Sequence, residues 1–271
     1  MVAISAQRAK NNGAVQVLGR IGMGCYGVVH LIVAYLALRV AFGDSGEQAD
    51  QKGALQEVGA TSFGAIVLWV LAIGLFAYGL WQFMMAAIGF QWVQKKGKRT
   101  RKRIGSVARG IIGISLGVYA VRLVTGSGGG QSGNQGQQEW TGKLLSLPAG
   151  RVLVAIVAAI VIGVAVGEIV RGVKRSFLQD LNLDELPAGT QRWVRRLGFF
   201  GYIAKGVVLG IVGILLGIAA FQSDAKEAGG LDRALKTLAA QPFGTIALVL
   251  VAVGLAAFGV YCFAAARAHK S

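Results

Sequence analysis

The stretch between residues 201 and 266 decides the fold: GYIAKGVVLGIVGILLGIAAF (201–221), a polar connector, GLDRALKTLAAQPFG (230–244) and TIALVLVAVGLAAFGVYCFAAA (245–266). Each of the two apolar runs is long enough to cross a hydrocarbon core of about 30 Å. The segment between them is amphipathic and ends in Pro-Phe-Gly. Two weaker copies of this unit precede it, so the chain is predicted to consist of three tandem copies of one helical hairpin.

Glycines at matching positions mark the three copies. Each copy opens with one glycine and carries another five residues later: Gly22 and Gly27, Gly105 and Gly110, Gly201 and Gly206. The second long run of each copy follows a Phe-Gly or Ala-Gly pair, at 63–64, 149–150 and 243–244. Two spans per copy give every copy the same orientation. The sequence therefore predicts an all-α integral membrane protein of six transmembrane helices, arranged as three parallel two-helix repeats with pseudo-threefold symmetry about the membrane normal.

Pairs of glycines four residues apart lie inside the apolar runs. Such pairs let helix backbones approach closely in lipid, where dispersion holds helices together. We therefore expect helix contacts at four pairs: Gly113 and Gly117, Gly163 and Gly167, Gly206 and Gly210, Gly213 and Gly217.

The composition excludes an ordinary soluble domain. Hydrophobic residues make up 54% of the chain, and glycine occurs 41 times. In a soluble protein the net charge of +16 would suggest nucleic acid. Here the basic residues cluster in short connectors between apolar runs, which membrane orientation explains better. The expected partner is the lipid bilayer, and no nucleic-acid partner is expected.

The connectors set the predicted boundaries and orientation. The segments are an N-terminal tail (1–18), repeat 1 (19–94), a basic loop (95–103), repeat 2 (104–175), a linker (176–196), repeat 3 (197–267) and a tail (268–271). Eighteen lysines and arginines lie in the tails, the basic loop and the linker or at the helix ends beside them, against five in the connectors inside the repeats. The five at helix ends are Arg20, Arg171, Lys174, Arg175 and Arg267. The positive-inside rule then places the protein in a bacterial cell membrane with both termini on the cytoplasmic side.

A Gly-rich stretch, 126–138, is expected to be a flexible loop.

Five polar residues within the spans form the candidate intramembrane site: His30, Gln82, Arg109, Glu168 and Lys205. Ionisable side chains at membrane depth are often functional. For Glu168 we favour an ion pair with Arg109 or Lys205, and the alternative is a cation or proton site. For His30 we favour a neutral ring that donates one hydrogen bond, and the alternative is ring protonation or ligand contact.

Two surface segments are candidates for membrane contact. The basic loop would attract anionic lipid headgroups or an acidic partner through its seven cations: Lys95, Lys96, Lys98, Arg99, Arg101, Lys102 and Arg103. In the segment 231–238, leucines at 231, 235 and 238 lie opposite Asp232, Arg233 and Lys236. This pattern predicts a helix that lies at the membrane surface, and the alternative is recognition of a partner.

Several motifs resemble a known bacterial family. AGGLDRALKTLAAQPFG (228–244) and VAVGLAAFGVYCFAAAR (251–267) are similar to the third unit of the membrane-protein family called domain of unknown function 1206. EWTGKLLSLPAGRVLV (139–154) and RKRIGSVARGII (101–112) resemble its second unit. The first unit departs from the family pattern, with CYGVVH (25–30) at its entry. The resemblance implies three tandem two-helix repeats in a membrane, and it implies no activity, cofactor or catalytic residues.

The sequence shows no catalytic, cofactor-binding or metal-binding set. GISLG (113–117) fits the GxSxG pattern of hydrolases, but it lies within a predicted helix and has no partner residues. We therefore expect a non-enzymatic accessory or scaffold component of membrane assemblies. The alternative is a small channel or transporter with a path along the pseudo-threefold axis, lined by the five polar residues.

Overall fold

The computed structural model describes residues 13–43, 46, 48–127 and 132–269. Six helices in this part of the chain are long and apolar enough to cross a membrane. They are α1 (Gly13–Ala41), α3 (Gly64–Ile88), α4 (Lys96–Val124), α6 (Gly150–Val173), α7 (Ala188–Gln222) and α9 (Gly244–Ala268). A short helix stands between the two long helices of each repeat: α2 (Gln51–Gly59), α5 (Gly133–Leu145) and α8 (Leu231–Ala239). The predicted all-helical architecture of six apolar helices in three repeats is confirmed.

The bundle has two chemically different ends. The basic end is the end at which α1 begins and α9 ends, and it carries the segments 95–103 and 171–196. The short-helix end is the opposite one, and it carries α2, α5 and α8. Most of the predicted N-terminal tail, with Arg8 and Lys10, lies outside the described residues, as do residues 270 and 271.

The glycine of each Phe-Gly or Ala-Gly pair is required by a tight turn. At Gly64, Gly150 and Gly244, an added Cβ would lie 2.4, 2.4 and 2.2 Å from a backbone oxygen at the end of the preceding short helix. No side chain fits at such a distance. The repeated glycine therefore sets how closely each short helix folds back onto the following long helix.

The two repeated glycines at the start of each copy have different packing roles. Gly22 and Gly201 lie against the backbone of Tyr78 and Phe258, so each holds together the two long helices of its own repeat. The second glycines, 27, 110 and 206, pack on a helix of the neighbouring repeat: on α9, α3 and α6 respectively. Small residues thus mediate contacts within repeats and between them, as expected for helices in lipid.

The middle repeat departs from this pattern because its two long helices barely meet. Helix packing runs from α4 through α3, α1, α9 and α7 to α6, and it does not close between α6 and α4. Gly105, the counterpart of Gly22 and Gly201, approaches only the tip of the Arg109 side chain. Gly163 has no atom within 4 Å of an added Cβ, so the contact predicted for the pair Gly163 and Gly167 does not form there. We call this open flank of the bundle the α4–α6 side.

A buried carboxylate joins the three repeats at the short-helix end. Asp232 on α8 accepts hydrogen bonds from the backbone of Ala49 at 2.9 Å and from Asn134 on α5 at 2.8 Å. Asn134 also accepts a bond of 2.9 Å from the amide of Gly230, which precedes α8. Asp232, which the sequence pattern places opposite the leucine face of α8, is therefore buried, because its carboxylate is the acceptor for backbone and side-chain donors from two other repeats.

Two predicted loops are helical. The basic segment 95–103 is the first part of α4, which begins at Lys96. Within the predicted loop 126–138, residues 133–138 belong to α5, whose N-terminus is closed by a capping box between Ser132 and Gln135. That mutual pair of hydrogen bonds satisfies two free backbone amides and so starts a helix in a Gly- and Gln-rich sequence.

Candidate functional site

A cavity of about 60 Å³ lies inside the basic end of the bundle. All six long helices contribute to its wall. The residues that line it are Met23, Tyr26, Tyr78, Trp81, Gln82, Met85, Phe90, Arg109, Glu168, Arg171, Asp180, Tyr202, Lys205, Phe258, Tyr261, Cys262, Ala265 and His269. Four of the five residues of the candidate intramembrane site are among them. The structure therefore brings Gln82, Arg109, Glu168 and Lys205 to one place.

The three lining residues Tyr26, Arg109 and Lys205 occupy the same position in the three repeats. Each directly precedes the second repeated glycine of its copy. The repeat therefore brings three equivalent positions to one cavity while allowing them to differ in chemistry. Superposing the three copies of the sequence would have been enough to group these residues.

The charged groups in the cavity wall are unequal in number. Arg109, Arg171 and Lys205 supply three cations, and Glu168 and Asp180 supply two carboxylates, so the lining carries one excess positive charge. Sequence reasoning missed Arg171 and Asp180, because both lie in the polar segment 171–196, where charged side chains normally face water.

Asp180 is the most extensively bonded carboxylate at the basic end. Only 4% of its side chain is exposed, and it pairs with Lys102 at 2.5 Å and Arg171 at 3.0 Å. The indole of Trp92 donates a further bond of 3.3 Å. Burial alone raises the pKa of Asp180, but the positive charges of Arg171 and Lys102 outweigh burial and hold the pKa below its usual value. These ion pairs connect the linker to the beginning of α4, through Lys102, and to the end of α6, through Arg171.

Glu168 does not form the ion pair that the sequence favoured. No lysine or arginine nitrogen of the described residues lies within 4.0 Å of its carboxylate. Its Oε2 atom is buried and has no hydrogen-bond partner in the described part of the chain. The reason is geometric, because Arg109 and Lys205 bond elsewhere. Glu168 thus lines the cavity and carries a buried acceptor without a donor among the described residues.

Arg109 and Lys205 are held by neutral groups. A guanidinium nitrogen of Arg109 donates to the hydroxyl of Ser106 at 2.9 Å. The ammonium of Lys205 lies 4.1 Å from the centre of the Phe258 ring, a cation–π geometry. Neither cation has a carboxylate partner within 4.0 Å among the described residues. Both keep free N–H groups for a further acceptor.

His30 lies outside the cavity, one helical turn beyond Tyr26. It is 3% exposed, and its Nδ1 is 2.9 Å from the backbone oxygen of Tyr26, which is within hydrogen-bond distance. Around and beyond it, toward the short-helix end, Val29 and Val33 on α1 and Leu71 on α3 are buried. A packed apolar layer therefore separates the cavity from the short-helix end.

A second pocket of about 90 Å³ adjoins the first at the basic end. Trp81 and His269 line both pockets, and their rings meet edge to face with centroids 4.7 Å apart. The outer pocket is otherwise lined by Gln16, Gly19, Arg20, Asn182, Glu185 and Ala266. The Trp81 and His269 pair thus stands between the charged cavity and this outer pocket.

The seven basic residues proposed for lipid contact divide into two groups. Lys95, Lys96, Lys98 and Arg101 are exposed at the surface. The other three bond to the protein itself: Arg99 to the backbone oxygen of Val93, Lys102 to Asp180, and Arg103 to the backbone oxygen of Gly89. Only the first group is placed to contact headgroups.

The residues described by the structure include no group of three or more His, Cys, Asp or Glu side chains that could hold a metal ion. Cys25 and Cys262 are both free thiols.

Comparison with known proteins identifies the family. Residues 21–89, 104–175 and 200–269 each match the family model described as Domain of Unknown Function (DUF1206). The chain belongs to this family. The predicted resemblance is confirmed, and the three DUF1206 segments coincide with the three repeats.

One relative within the curated proteins extends the comparison over nearly the whole chain. It is the protein named Uncharacterized protein YxxB from Bacillus subtilis (strain 168), 28% identical over 243 residues, which span 90% of this chain and 87% of that protein. No solved structure matches the chain significantly. The six long apolar helices indicate a multi-pass membrane protein. Membership of DUF1206 states no activity, so the function has to be argued from the residues.

Proposed function

We propose that the protein is a non-enzymatic accessory or scaffold component of assemblies in the bacterial cytoplasmic membrane. One observation carries the proposal: the two long helices of the middle repeat leave the α4–α6 side of the bundle open. In the other two repeats the two long helices pack directly on each other. A transmembrane helix of another membrane protein would complete the same packing in the middle repeat.

The chemistry of the α4–α6 side suits a helix partner. Helix α6 is the least buried of the six long helices, because only 17% of the residues in its most apolar stretch are buried inside the protein. The corresponding share for α4 is 33%. Gly105 on α4 and Gly163 on α6 both leave space at the backbone. Small residues at a lipid-facing position permit the close approach of a second backbone, which is the main source of helix association in membranes.

The distribution of charge supports a cytoplasmic location for the basic end. Fifteen of the 25 lysines and arginines among the described residues lie in segments of that end, and membrane proteins keep such segments in the cytoplasm. Both termini would then be cytoplasmic. The exposed cations Lys95, Lys96, Lys98 and Arg101 would lie where anionic headgroups attract them at about 1 kcal/mol each.

Site-specific photo-crosslinking in cells tests the scaffold role. A benzophenone amino acid at position 156 would probe the α4–α6 side, and one at position 250 is the matched control. Ile156 and Leu250 both lie six residues after the repeated glycine, and both are exposed, at 51% and 68%. Helix α9 packs on both neighbours, so a discrete adduct with a protein of another sequence is expected from position 156 alone. No adduct at 156, or the same adducts from both positions, would contradict the proposal.

Transport is the second candidate, and the charged cavity is the observation that favours it. A polar cavity at one end, closed by an apolar layer at the other, resembles a carrier open to one side only. A channel role requires the buried layer around Val29, Val33 and Leu71 to part. Solute or ion flux into liposomes containing the purified protein alone would favour transport over scaffolding.

A further inference from the structure

We propose that the charged cavity binds a singly charged oxyanion of the phosphate class that still carries an acidic O–H group. Dihydrogen phosphate and the monoprotonated phosphate of a monoester both have this chemistry. The proposal goes beyond the scaffold role and does not depend on it.

The charge of the cavity wall is the first argument. Three cations face two carboxylates, and Asp180 is already bonded to Arg171 and Lys102. Arg109 and Lys205 therefore have only Glu168 as a possible counter-charge, and it lies beyond ion-pair distance of both. Unpaired charge in a low-dielectric site is costly. One monovalent anion would neutralise the excess.

The available donors are the second argument. Arg109 uses one guanidinium nitrogen on Ser106, and the remaining N–H groups stay available to an acceptor. The ammonium of Lys205, which lies over Phe258, has three donors and no carboxylate within 4.0 Å in the described chain. Guanidinium and ammonium groups are the usual protein ligands of phosphate oxygens.

Glu168 is the third argument, and it specifies which oxyanion fits. A carboxylate beside an anion repels it, unless the anion donates a proton into a hydrogen bond with the carboxylate. The buried Oε2 of Glu168 is an acceptor that lacks a donor. Phosphate near neutral pH carries an O–H group that can supply this bond, and sulfate does not. The site should therefore reject sulfate, since specificity often comes from repulsion of the wrong ligand.

The volume limits the size of the bound group. The cavity volume is about 60 Å³, and one water molecule requires roughly 10–15 Å³ by the same measure. The cavity is therefore large enough for several water-sized groups. This space suits a group of about five heavy atoms, such as one phosphate. The phosphate could be free in the cytoplasm, reaching the site past Trp81 and His269, or it could be the headgroup of phosphatidic acid.

Calorimetric titration of the purified full-length protein with phosphate or sulfate tests the proposal. At pH 7 and matched ionic strength we expect phosphate to bind at least about tenfold more tightly, the effect of one charge-assisted hydrogen bond. Glu168→Gln should lose most of this preference, because the amide can donate to sulfate. Lys205→Met and Arg109→Gln should each weaken phosphate binding by about tenfold or more. Arg192→Gln, which removes an exposed cation at the start of α7, is the matched control and should bind as the wild type does.

Absence of phosphate binding, equal binding of sulfate to the wild type, or full binding by Lys205→Met would overturn the proposal. The wild-type comparison of phosphate with sulfate needs no variant, so it decides even where a variant fails to fold. Repeating the phosphate titration in nanodiscs of phosphatidylcholine, with and without phosphatidic acid, distinguishes the source. Competition by phosphatidic acid would assign the site to the lipid headgroup, and unchanged binding would assign it to free phosphate.

Discussion

Asp232, at the start of α8, accepts a hydrogen bond of 2.9 Å from the backbone amide of Ala49, a residue 183 positions earlier in the chain. The same carboxylate accepts a bond from Asn134 in the middle repeat. One buried acid therefore joins all three repeats at the short-helix end, where each repeat would otherwise end in a separate turn.

Replacing Asp232 by alanine should destabilise the bundle by about 2–4 kcal/mol, because the Ala49 amide and Asn134 lose a buried charged acceptor. Unfolding in detergent micelles, followed by circular dichroism, measures the change. Glu139→Ala is the control, since Glu139 forms an exposed pair with Lys143 on α5 and exposed pairs contribute little. Equal stability of the two variants would show that the link between repeats is unimportant.

The Asp180 cluster should make the basic end sensitive to acid. Asp180→Asn removes the charge that Lys102 and Arg171 share, and we expect a loss of about 2 kcal/mol at pH 7, since both cations remain partly solvated. The pKa of Asp180 is lowered in the folded protein. Its contribution to stability is therefore complete above the unfolded pKa of about 3.9 and is lost as pH falls through the lower folded value.

Unfolding of the wild type and Asp180→Asn between pH 3 and pH 8 checks the sign. The stability difference should be constant above about pH 5 and should narrow below about pH 4. Asp184→Asn is the control, because Asp184 is exposed in the same linker. A difference that widened on acidification would mean that Asp180 is not the stabilising ion in this cluster.

Sequence patterns predicted the architecture because membrane spans and their glycines are local signals. Apolar length gave the six helices, and the glycines at 22, 105 and 201 gave the repeat. The same pattern could not show that Gly105 lacks the contact made by Gly22 and Gly201. That difference depends on where two helices of the middle repeat lie in space, which no local pattern encodes.

Part of the candidate site was predictable, because a charged residue inside an apolar run is also a local signal. Arg109, Glu168 and Lys205 stand out as charges inside apolar runs. Asp180 and Asp232 do not, since each lies in a polar segment where an acid normally faces water. Their burial depends on donors from distant parts of the chain, such as Lys102 for Asp180 and Ala49 for Asp232.

The proposed orientation can be tested by labelling single cysteines in intact cells. In a chain without its two native cysteines, Ser146→Cys would report the short-helix end and Lys174→Cys the basic end. Both positions are exposed. A membrane-impermeant maleimide should label position 146 in intact cells and position 174 only after permeabilisation. The reverse pattern would place the basic end outside and contradict the positive-inside assignment.

Two glycine-to-alanine variants should separate the internal packing of the bundle from its use as a scaffold. Gly22→Ala places a methyl group 2.4 Å from the backbone of Tyr78, so α1 and α3 must move apart, and we expect a loss of about 1–3 kcal/mol in detergent. Gly163→Ala meets no atom within 4 Å. It should leave the isolated protein unchanged or more stable by up to about 1 kcal/mol, because alanine favours the helix.

In cells the expectation for Gly163→Ala is different, because a partner helix on the α4–α6 side would pack against this glycine. The added methyl group should reduce the adduct formed from position 156 by about tenfold, the effect of roughly 1.4 kcal/mol at the contact. Gly217→Ala is the matched control, since Gly217 on α7 also has no atom within 4 Å of an added Cβ. An adduct that survives Gly163→Ala at full yield would place the partner elsewhere on the bundle. A loss of stability for Gly163→Ala in detergent would instead show that α4 and α6 close on each other without a partner.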